Sequence, residues 1–306
     1  MSAAAKHVAV LKGGWSAERE VSLVSGAAVE NALAGQGYRV SGVDIARDLS
    51  TQLSEIRPDV VFNALHGPVG EDGCVQGLLE VMGLPYTHSG VLASALAMDK
   101  PAAKRLFADA GLTCPEGRVM CRADIAAGAA GDPPYVVKPL DQGSSVGVHL
   151  VFSGDNAVLL NGDWPYGEQV LVEPYIPGRE IQVAVMGERA LGAIEIRPKG
   201  RFYDYEAKYT EGRADHYMPA PIHPDAYKEA LDIALTAHRT LGCRGVSRAD
   251  LRYDDTAGEP GRFYLLEINT QPGMTPLSLV PEIAADVGIS FQQLVSWLVE
   301  NATCGR

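Results

Sequence analysis

The chain has 306 residues, 46% hydrophobic and 21% charged, with 26 Lys and Arg against 38 Asp and Glu for a formal net charge of −12 at pH 7. This length suits two or three domains, and the balance excludes a disordered tail, a collagen and a coiled coil. So acidic a surface repels a phosphate backbone, so no nucleic-acid partner is expected, although a nucleotide needs only a local cationic pocket and a metal. Cys74, Cys114, Cys121, Cys243 and Cys304 are widely spaced and form no C-x-x-C pair, against a disulfide framework or a zinc ribbon. No run is apolar enough for a membrane span, and the N-terminal apolar stretch breaks at Gly13-Gly14. A cytoplasmic protein with no membrane partner is the expectation.

In chain order, His7–Leu11 reads as a strand that ends at Gly13-Gly14. Glu20–Gln36 has apolar residues near helical spacing at Val21, Val24, Ala28 and Leu33. Tyr38–Ile45 and Asp59–Leu65 read as strands, the second ending at His66-Gly67. Asp72–Met82 reads as a helix stopped by Gly83, with Pro85 just beyond. This order predicts a parallel sheet with sites at the C-terminal ends of its strands. Pro101–Ala110 is a helix opening a second region, followed by strands at Pro134–Pro139, Val146–Phe152 and Gln169–Tyr175. Longer strands follow at Glu180–Met186, Ala190–Arg197, Arg244–Tyr253 and Arg262–Asn269, with helices at His223–Leu241 and Phe291–Val299. The polar, Tyr-rich stretch 200–215 shows no period and reads as a lid loop. Boundaries fall near residues 95 and 178, dividing the chain into 1–95, 96–177 and 178–306.

Two motifs carry chemistry. In the run ending Glu267-Ile268-Asn269, residues two apart share a strand face, so Glu267 and Asn269 point together while Ile268 faces the core. Arg248-Ala249-Asp250 repeats the pattern and adds a second carboxylate. Hard oxygen ligands of this kind suit Mg²⁺; an exposed polar strand face is the plainer reading. The second motif is the strand Tyr135–Lys138, which delivers Lys138 to a glycine loop, Gly143-Ser144-Ser145-Val146-Gly147. Glycines admit backbone N–H groups close to phosphate oxygens, and lysine adds charge. The loop also matches the G-x-S-x-G nucleophile elbow, but a strand rather than a helix is expected after it, which argues against serine hydrolysis. Lys100 and Lys208 are further phosphate candidates. His66, at a strand end, is either catalytic or structural. The other histidines show no metal-ligand spacing. The residues together point to a Mg-nucleotide enzyme performing phosphoryl transfer or an ATP-driven ligation.

Nine strings, in order, give a specific resemblance: G-G-W-S-A-E-R-E-V-S (13–22), A-L-H-G (64–67), G-E-D-G (70–73), M-D-K (98–100), V-K-P (137–139), G-S-S-V-G (143–147), Y-D-Y-E-A-K-Y (203–209), L-E-I-N-T-Q-P-G-M-T (266–275) and S-L-V-P (278–281). From about residue 8 to 300 the chain resembles the D-alanine–D-alanine ligase family of ATP-grasp enzymes. The resemblance implies a three-domain ATP-grasp fold, of α/β and α+β class, with an N-terminal parallel-sheet domain. It implies ATP and two Mg²⁺ (or Mn²⁺) ions per site, D-alanine as substrate, an acyl-phosphate intermediate, a role in peptidoglycan precursor synthesis and a homodimer.

Roles then carry over by motif. The resemblance places Glu18 at the first alanine's ammonium and His66 beside that substrate. Lys100, Lys138 and Lys208 would bind ATP phosphates, with Ser145 in the phosphate loop, and Glu173 and Glu180 would hold adenosine. Ser144 and Tyr209 would hydrogen-bond with Glu18 and close the lid. Asp250, Glu267 and Asn269 would hold the metals, and Arg248 with the Gly273 N–H would form the oxyanion hole. Ser278 and Leu279 would grip the second alanine's carboxylate. Trp15, His88 and Gln142 depart from the family pattern, where a smaller residue, Gly and Glu are usual. The rivals are a D-alanine–D-lactate or D-alanine–D-serine ligase, against which Tyr209 argues, and a non-catalytic nucleotide-binding homologue.

Overall fold

The computed structural model describes residues 5–154, 164–200, 210 and 212–305. Three sheets follow one another along the chain. The first, in the order β2-β1-β3, is parallel throughout, formed by β1 (His7–Lys12), β2 (Arg39–Asp44) and β3 (Val60–Asn63). Its central strand is apolar on both sides because both faces are covered. Val8 and Val10 pack under α1 (Arg19–Gly35), while Ala9 and Leu11 face Leu49 and Leu53 of α2 (Leu49–Ile56) and Leu79 of α3 (Cys74–Met82). The last helix, α9 (Phe291–Glu300), returns to the first sheet, and Thr303 bridges to Tyr86. The end of the chain therefore closes the sheet with which it began.

After α4 (Val91–Met98), α5 (Lys100–Asp109) leads into the second, antiparallel sheet. Asp99 caps α5, accepting the Ala102 N–H at 2.8 Å, and Pro101 sits in its first turn, where no N–H is needed. The sheet runs β4-β7-β5-β6, from β4 (Arg118–Cys121), β5 (Tyr135–Lys138), β6 (His149–Val151) and β7 (Gln169–Pro174), with the short α6 (Arg122–Ala126) after β4. The expected strand at 146–152 is shorter, because Ser144, Ser145 and Gly147 all take positive φ and hold 144–147 as turns. No helix follows Ser145, so the nucleophile-elbow geometry is absent there.

The third sheet, β10-β9-β8-β11-β12, is antiparallel. It comprises β8 (Arg179–Met186), β9 (Arg189–Pro198), β10 (Ala214–Tyr217), β11 (Val246–Asp254) and β12 (Arg262–Asn269). Ala226, Ala230, Ala234 and Ala237 make one stripe of α7 (Pro224–Thr240), and their small side chains let it lie close on β8 and β9. The other side of those strands is covered by α8 (Leu279–Asp286). Ala214 and Asp215, read from sequence as the end of the lid loop, instead begin β10, pairing with Pro198 and Arg197.

Candidate functional site

A cavity of about 450 Å³ lies between the second and third sheets, within the range of small-molecule sites. One wall is Val136, Lys138, Leu150 and Glu173, and the other includes Glu180, Asp250, Arg252, Leu266 and Glu267. The register explains both. Val136 lies opposite Leu150 and Glu173, so these point one way with Lys138. Asp250 lies opposite Glu267, and Arg248 opposite Asn269. Ala249 and Ile268 face the core behind them. A bulge shifts the register between Asp250 and Leu251, leaving Leu266 an additional residue that turns into the cavity beside Glu267.

The lysines form a buried electrostatic group. Lys138 Nζ lies 2.7 Å from Glu173 Oε2, and Lys104 pairs with Glu173 Oε1. Burial alone would raise the Glu173 pKa, but the two ammoniums outweigh it and hold the carboxyl below its usual range. Lys100 donates to the Gln142 carbonyl at 2.6 Å and lies 3.6 Å from Glu267 Oε2. Burial pushes Lys100 and Lys104 down from the ordinary lysine range, against the attraction of their carboxylate neighbours. Sequence reading missed Lys104. It stands one helical turn after Lys100 on α5, an i, i+4 spacing that puts both ammoniums on one face.

Asp250 and Glu267 supply two carboxylates from paired positions, and Asn269 an amide oxygen that already accepts the Gln271 N–H at 2.8 Å. Arg248 clasps Asp250 through Nε at 2.7 Å and Nη2 at 2.8 Å. Among the described residues no three His, Cys, Asp or Glu converge as a metal group. The set nevertheless fits Mg²⁺, which commonly takes one or two carboxylates and completes its shell with substrate phosphates and water.

A second cluster sits at the ends of β1 and β3. Glu18 is 3% exposed and accepts a hydrogen bond from the Ser144 hydroxyl. Any side chain at Gly67, whose φ is +72°, would put a carbon 2.6 Å from Glu18 Oε2. His66 is held at both nitrogens, Nδ1 lying 3.1 Å from Glu71 Oε1 and Nε2 3.1 Å from Ser25 Oγ. Burial pulls His66 down, but the Glu71 hydrogen bond and negative charge more than offset it, so the imidazole titrates above its ordinary value. Burial, reinforced by Glu18, pushes Glu71 up to about 7 against the pull of His66. Glu71 lies within the G-E-D-G string yet received no role from sequence. Nothing periodic links it to His66, and only the turn at 67–71 brings them together.

Ser278 Oγ accepts the Thr275 N–H at 2.9 Å and precedes α8, while the Leu279 side chain packs into the core and leaves its backbone to the site. A carbon added at Gly273 would lie 2.7 Å from Ser278 Oγ, so the loop closes tightly on itself. Ser145 and Glu180 line the main cavity, and Arg252 Nη1 is 3.9 Å from Glu180 Oε2. Lys208 and Tyr209 lie outside the described residues. Of the three departures, His88 has φ +68°, a conformation glycine adopts freely, and is 3% exposed. Burial, with repulsion from His66, lowers it to about 3, so it is a neutral packing residue. Trp15 is half exposed beneath Arg47, and the Gln142 carbonyl holds Lys100.

Comparison with known proteins agrees with this arrangement. Residues 119–300 match the family model "D-ala D-ala ligase C-terminus", and residues 49–89 match "D-ala D-ala ligase N-terminus". A D-alanine–D-alanine ligase of Parvibaculum lavamentivorans is 58% identical over 305 residues, covering 99% of both chains. D-alanine–D-alanine ligase B of Brucella melitensis is 55% identical over 305 residues, covering 98% of this chain and 97% of its own. Among solved structures, the Bacillus anthracis D-alanine–D-alanine ligase complexed with ATP superposes with a TM-score of 0.81 at 30% identity, covering 97% of each chain. The Enterococcus faecalis VanG D-Ala:D-Ser ligase gives 0.79 at 31% identity, covering 97% of this chain and 99% of its own. The chain belongs to the D-alanine–D-alanine ligase family and has its ATP-grasp fold.

Proposed function

We propose that the chain joins two D-alanine molecules into D-alanyl-D-alanine with ATP, for peptidoglycan precursor synthesis. The observation that carries this reading is a family match over nearly the whole chain, at 58% identity, with the two clusters above intact. One carboxylate oxygen of the first D-alanine attacks the γ-phosphorus, and the bond from phosphorus to the bridging ADP oxygen breaks. The acyl phosphate that results is a better electrophile than the carboxylate. The amine of the second D-alanine then adds to its carbonyl and loses a proton, and phosphate leaves.

The residues divide this work by location. Glu18, kept in place by Ser144, receives the first ammonium, and the His66–Glu71 pair borders that substrate. Lys100 and Lys138 take phosphate oxygens, the loop carrying Ser145 covers them, and Glu173 and Glu180 flank the nucleoside end. Asp250, Glu267 and Asn269 hold Mg²⁺ or Mn²⁺, which supplies positive charge to the phosphates. Arg248 and the Gly273 N–H face the oxygen that gains charge at the carbonyl, where one such donor is worth about 10²–10³ in rate. Ser278 and the Leu279 backbone receive the second carboxylate. Residues 200–213, with Lys208 and Tyr209, would exclude water from the acyl phosphate. The division into 1–95, 96–177 and 178–306 is supported by one sheet lying within each segment, although residue 95 falls inside α4 and the C-terminal helix and tail return to the first sheet. A cytoplasmic location accords with the absence, among the described residues, of any helix long and apolar enough to cross a membrane. Exposed Val81, Val91 and Leu92 on α3 and α4 offer an apolar surface for a homodimer.

The test is ADP release with D-alanine, L-alanine, D-serine and D-lactate, with product masses measured. D-alanine alone should support release and give the dipeptide. A mixed D-alanyl-D-serine or depsipeptide product in preference would move the chain to the rival ligases, and no D-alanine-dependent release would refute the assignment.

A further inference from the structure

Two loops meet between the clusters, one following β3 (residues 64–71) and one following β12 (residues 270–275). The first carries His66 and Glu71, and the second carries Gly273 and follows Asn269. A buried amide pair fastens them. Gln271 is 1% exposed and Asn63 is fully buried. The Gln271 side-chain amide donates to the carbonyl of Leu65, the residue before His66. Asn63 Nδ2 donates to Gln271 Oε1 at 2.7 Å and to the carbonyl of Gly70, the residue before Glu71, at 2.9 Å. Asn63 Oδ1 accepts the Leu65 N–H at 3.2 Å. At its own backbone, Gln271 donates to Asn269 Oδ1. Ser25 adds a second tie, accepting the Met274 N–H at 3.2 Å while touching His66 Nε2.

These bonds join residues more than 200 positions apart. Both ends of the Gln271 amide are used, and the loop residues it grips directly or through Asn63 are those immediately before His66 and Glu71. A side chain needed only to fill space there would be apolar, since a buried amide is costly unless every partner is supplied. We propose that Gln271, through Asn63 and Leu65, is a positioning residue that sets the spacing between the loop bordering the first substrate and the loop beside the carbonyl-activating and metal-holding groups. The proposal rests on the ligase reading. Loosening the clasp leaves the nucleotide cavity alone but shifts the first substrate's carboxyl group relative to the second amine. An acyl phosphate formed out of line with the amine is met by water instead, which returns D-alanine and phosphate and leaves ADP without dipeptide.

The test uses the full chain with Gln271→Met, which keeps the volume, and with Gln271→Met combined with Asn63→Leu, which removes the Asn63–Gln271 bond from both sides while the Leu65 N–H and C=O lose their side-chain partners. ADP release, dipeptide yield, KM for ATP and thermal unfolding are measured for each. Both variants should show kcat lower by about ten- to a hundredfold, the loss a displacement of about 1 Å produces. ADP released per dipeptide should rise, with KM for ATP unchanged, and the double variant should not regain coupling whatever its unfolding temperature. Wild-type kcat and one ADP per dipeptide in either variant, whatever the change in unfolding temperature, would overturn the positioning role. A wild-type protein that forms no dipeptide would instead overturn the ligase reading, before any variant is compared.

Discussion

Among the described residues Glu173 pairs with both Lys104 and Lys138, so Glu173→Gln tests the electrostatics of the cavity between the second and third sheets. Its carboxyl is 3% exposed, with one oxygen on Lys138 and the other on Lys104. The substitution keeps the shape and removes the charge. Breaking a buried pair by losing one partner costs about 3–5 kcal/mol. An escape limits the cost, since a lysine can shed its proton, which at pH 7 takes about 4–5 kcal/mol from an ordinary pKa. The two figures agree, so about 3–5 kcal/mol is the expected loss. With about 2.1 cal/mol/K of unfolding entropy per residue over 306 residues, this lowers Tm by roughly 5–8 °C.

The pH dependence gives the test its sign. Burial already holds Lys104 below the ordinary lysine range against the pull of Glu173, and the variant removes that pull, so the folded state binds fewer protons than the unfolded chain. Stability must then rise with pH as Lys104 discharges. The Tm deficit against wild type should be largest near pH 6 and shrink toward pH 10, followed by circular dichroism or calorimetry on the nucleotide-free protein. ATP phosphates replace the missing anion, so saturating nucleotide should raise Tm further in the variant than in wild type. A deficit below about 1 °C at neutral pH, or one that grows with pH, would refute the claim that Glu173 neutralises this pair.

Asp250→Ala and Glu267→Ala should each abolish ADP release from ATP plus D-alanine, and wild-type rates in both would break the metal-site assignment. Gly67→Ala forces a side chain at φ +72° against Glu18, so KM for D-alanine should rise about tenfold or more while ATP binding, measured by calorimetry, stays the same. Glu71 is raised to about 7, so its stabilising contribution is complete below about pH 4.5 and is lost as pH rises through 7. His66 is raised as well, so its contribution is present below about pH 6.5 and is lost above its folded value. Tm should therefore fall less steeply between about pH 5 and 8 in Glu71→Gln than in wild type, and identical slopes would remove the buried pair from the pH response.

Elements with a strong local pattern were legible. Alternation alone placed Glu267 and Asn269 on one strand face and Arg248 with Asp250 on another, and the register brings those faces together. The apolar run before Lys138 did the same for the phosphate side. What escaped depends on distance or on local ambiguity. The α4 sequence Val-Leu-Ala-Ser-Ala-Leu-Ala-Met has almost no polar face to betray a helix, and α8 carries Pro281 in its first turn. The bulge that turns Leu266 inward has no sequence mark, because Leu265 and Leu266 are equally apolar and only pairing with β11 separates their roles. The strand β10 is four polar or small residues that pair because β9 offers them an edge. Gln271 and Asn63 each look like ordinary loop or strand-end amides until the fold brings them together.

The charges around the cavity explain why so acidic a chain can hold a nucleotide, and why it would need cations to do so. Lys100, Lys138, Arg179, Arg197 and Arg252 line it, against Glu173, Glu180, Glu195, Asp250 and Glu267. Arg179 spends its charge on Glu195, within 2.5 Å, as Lys138 does on Glu173. Among the described residues the lining is thus neutral in formal charge. It is neither the strongly basic cradle that would bind free triphosphate tightly nor the acidic one that would exclude it. A triphosphate carrying about four negative charges adds a load these residues do not balance. Divalent cations bound at Asp250, Glu267 and Asn269 would balance it at the end where phosphoryl transfer occurs, leaving the arginine–glutamate pairs beside the nucleoside undisturbed. Asp250, in the middle of β11, and Glu267, near the end of β12, are each met by one cation, Arg248 at 2.7 Å and Lys100 at 3.6 Å. These carboxylates keep the lining neutral in formal charge, and under the proposed metal-site assignment they would make tight triphosphate binding depend on the metal.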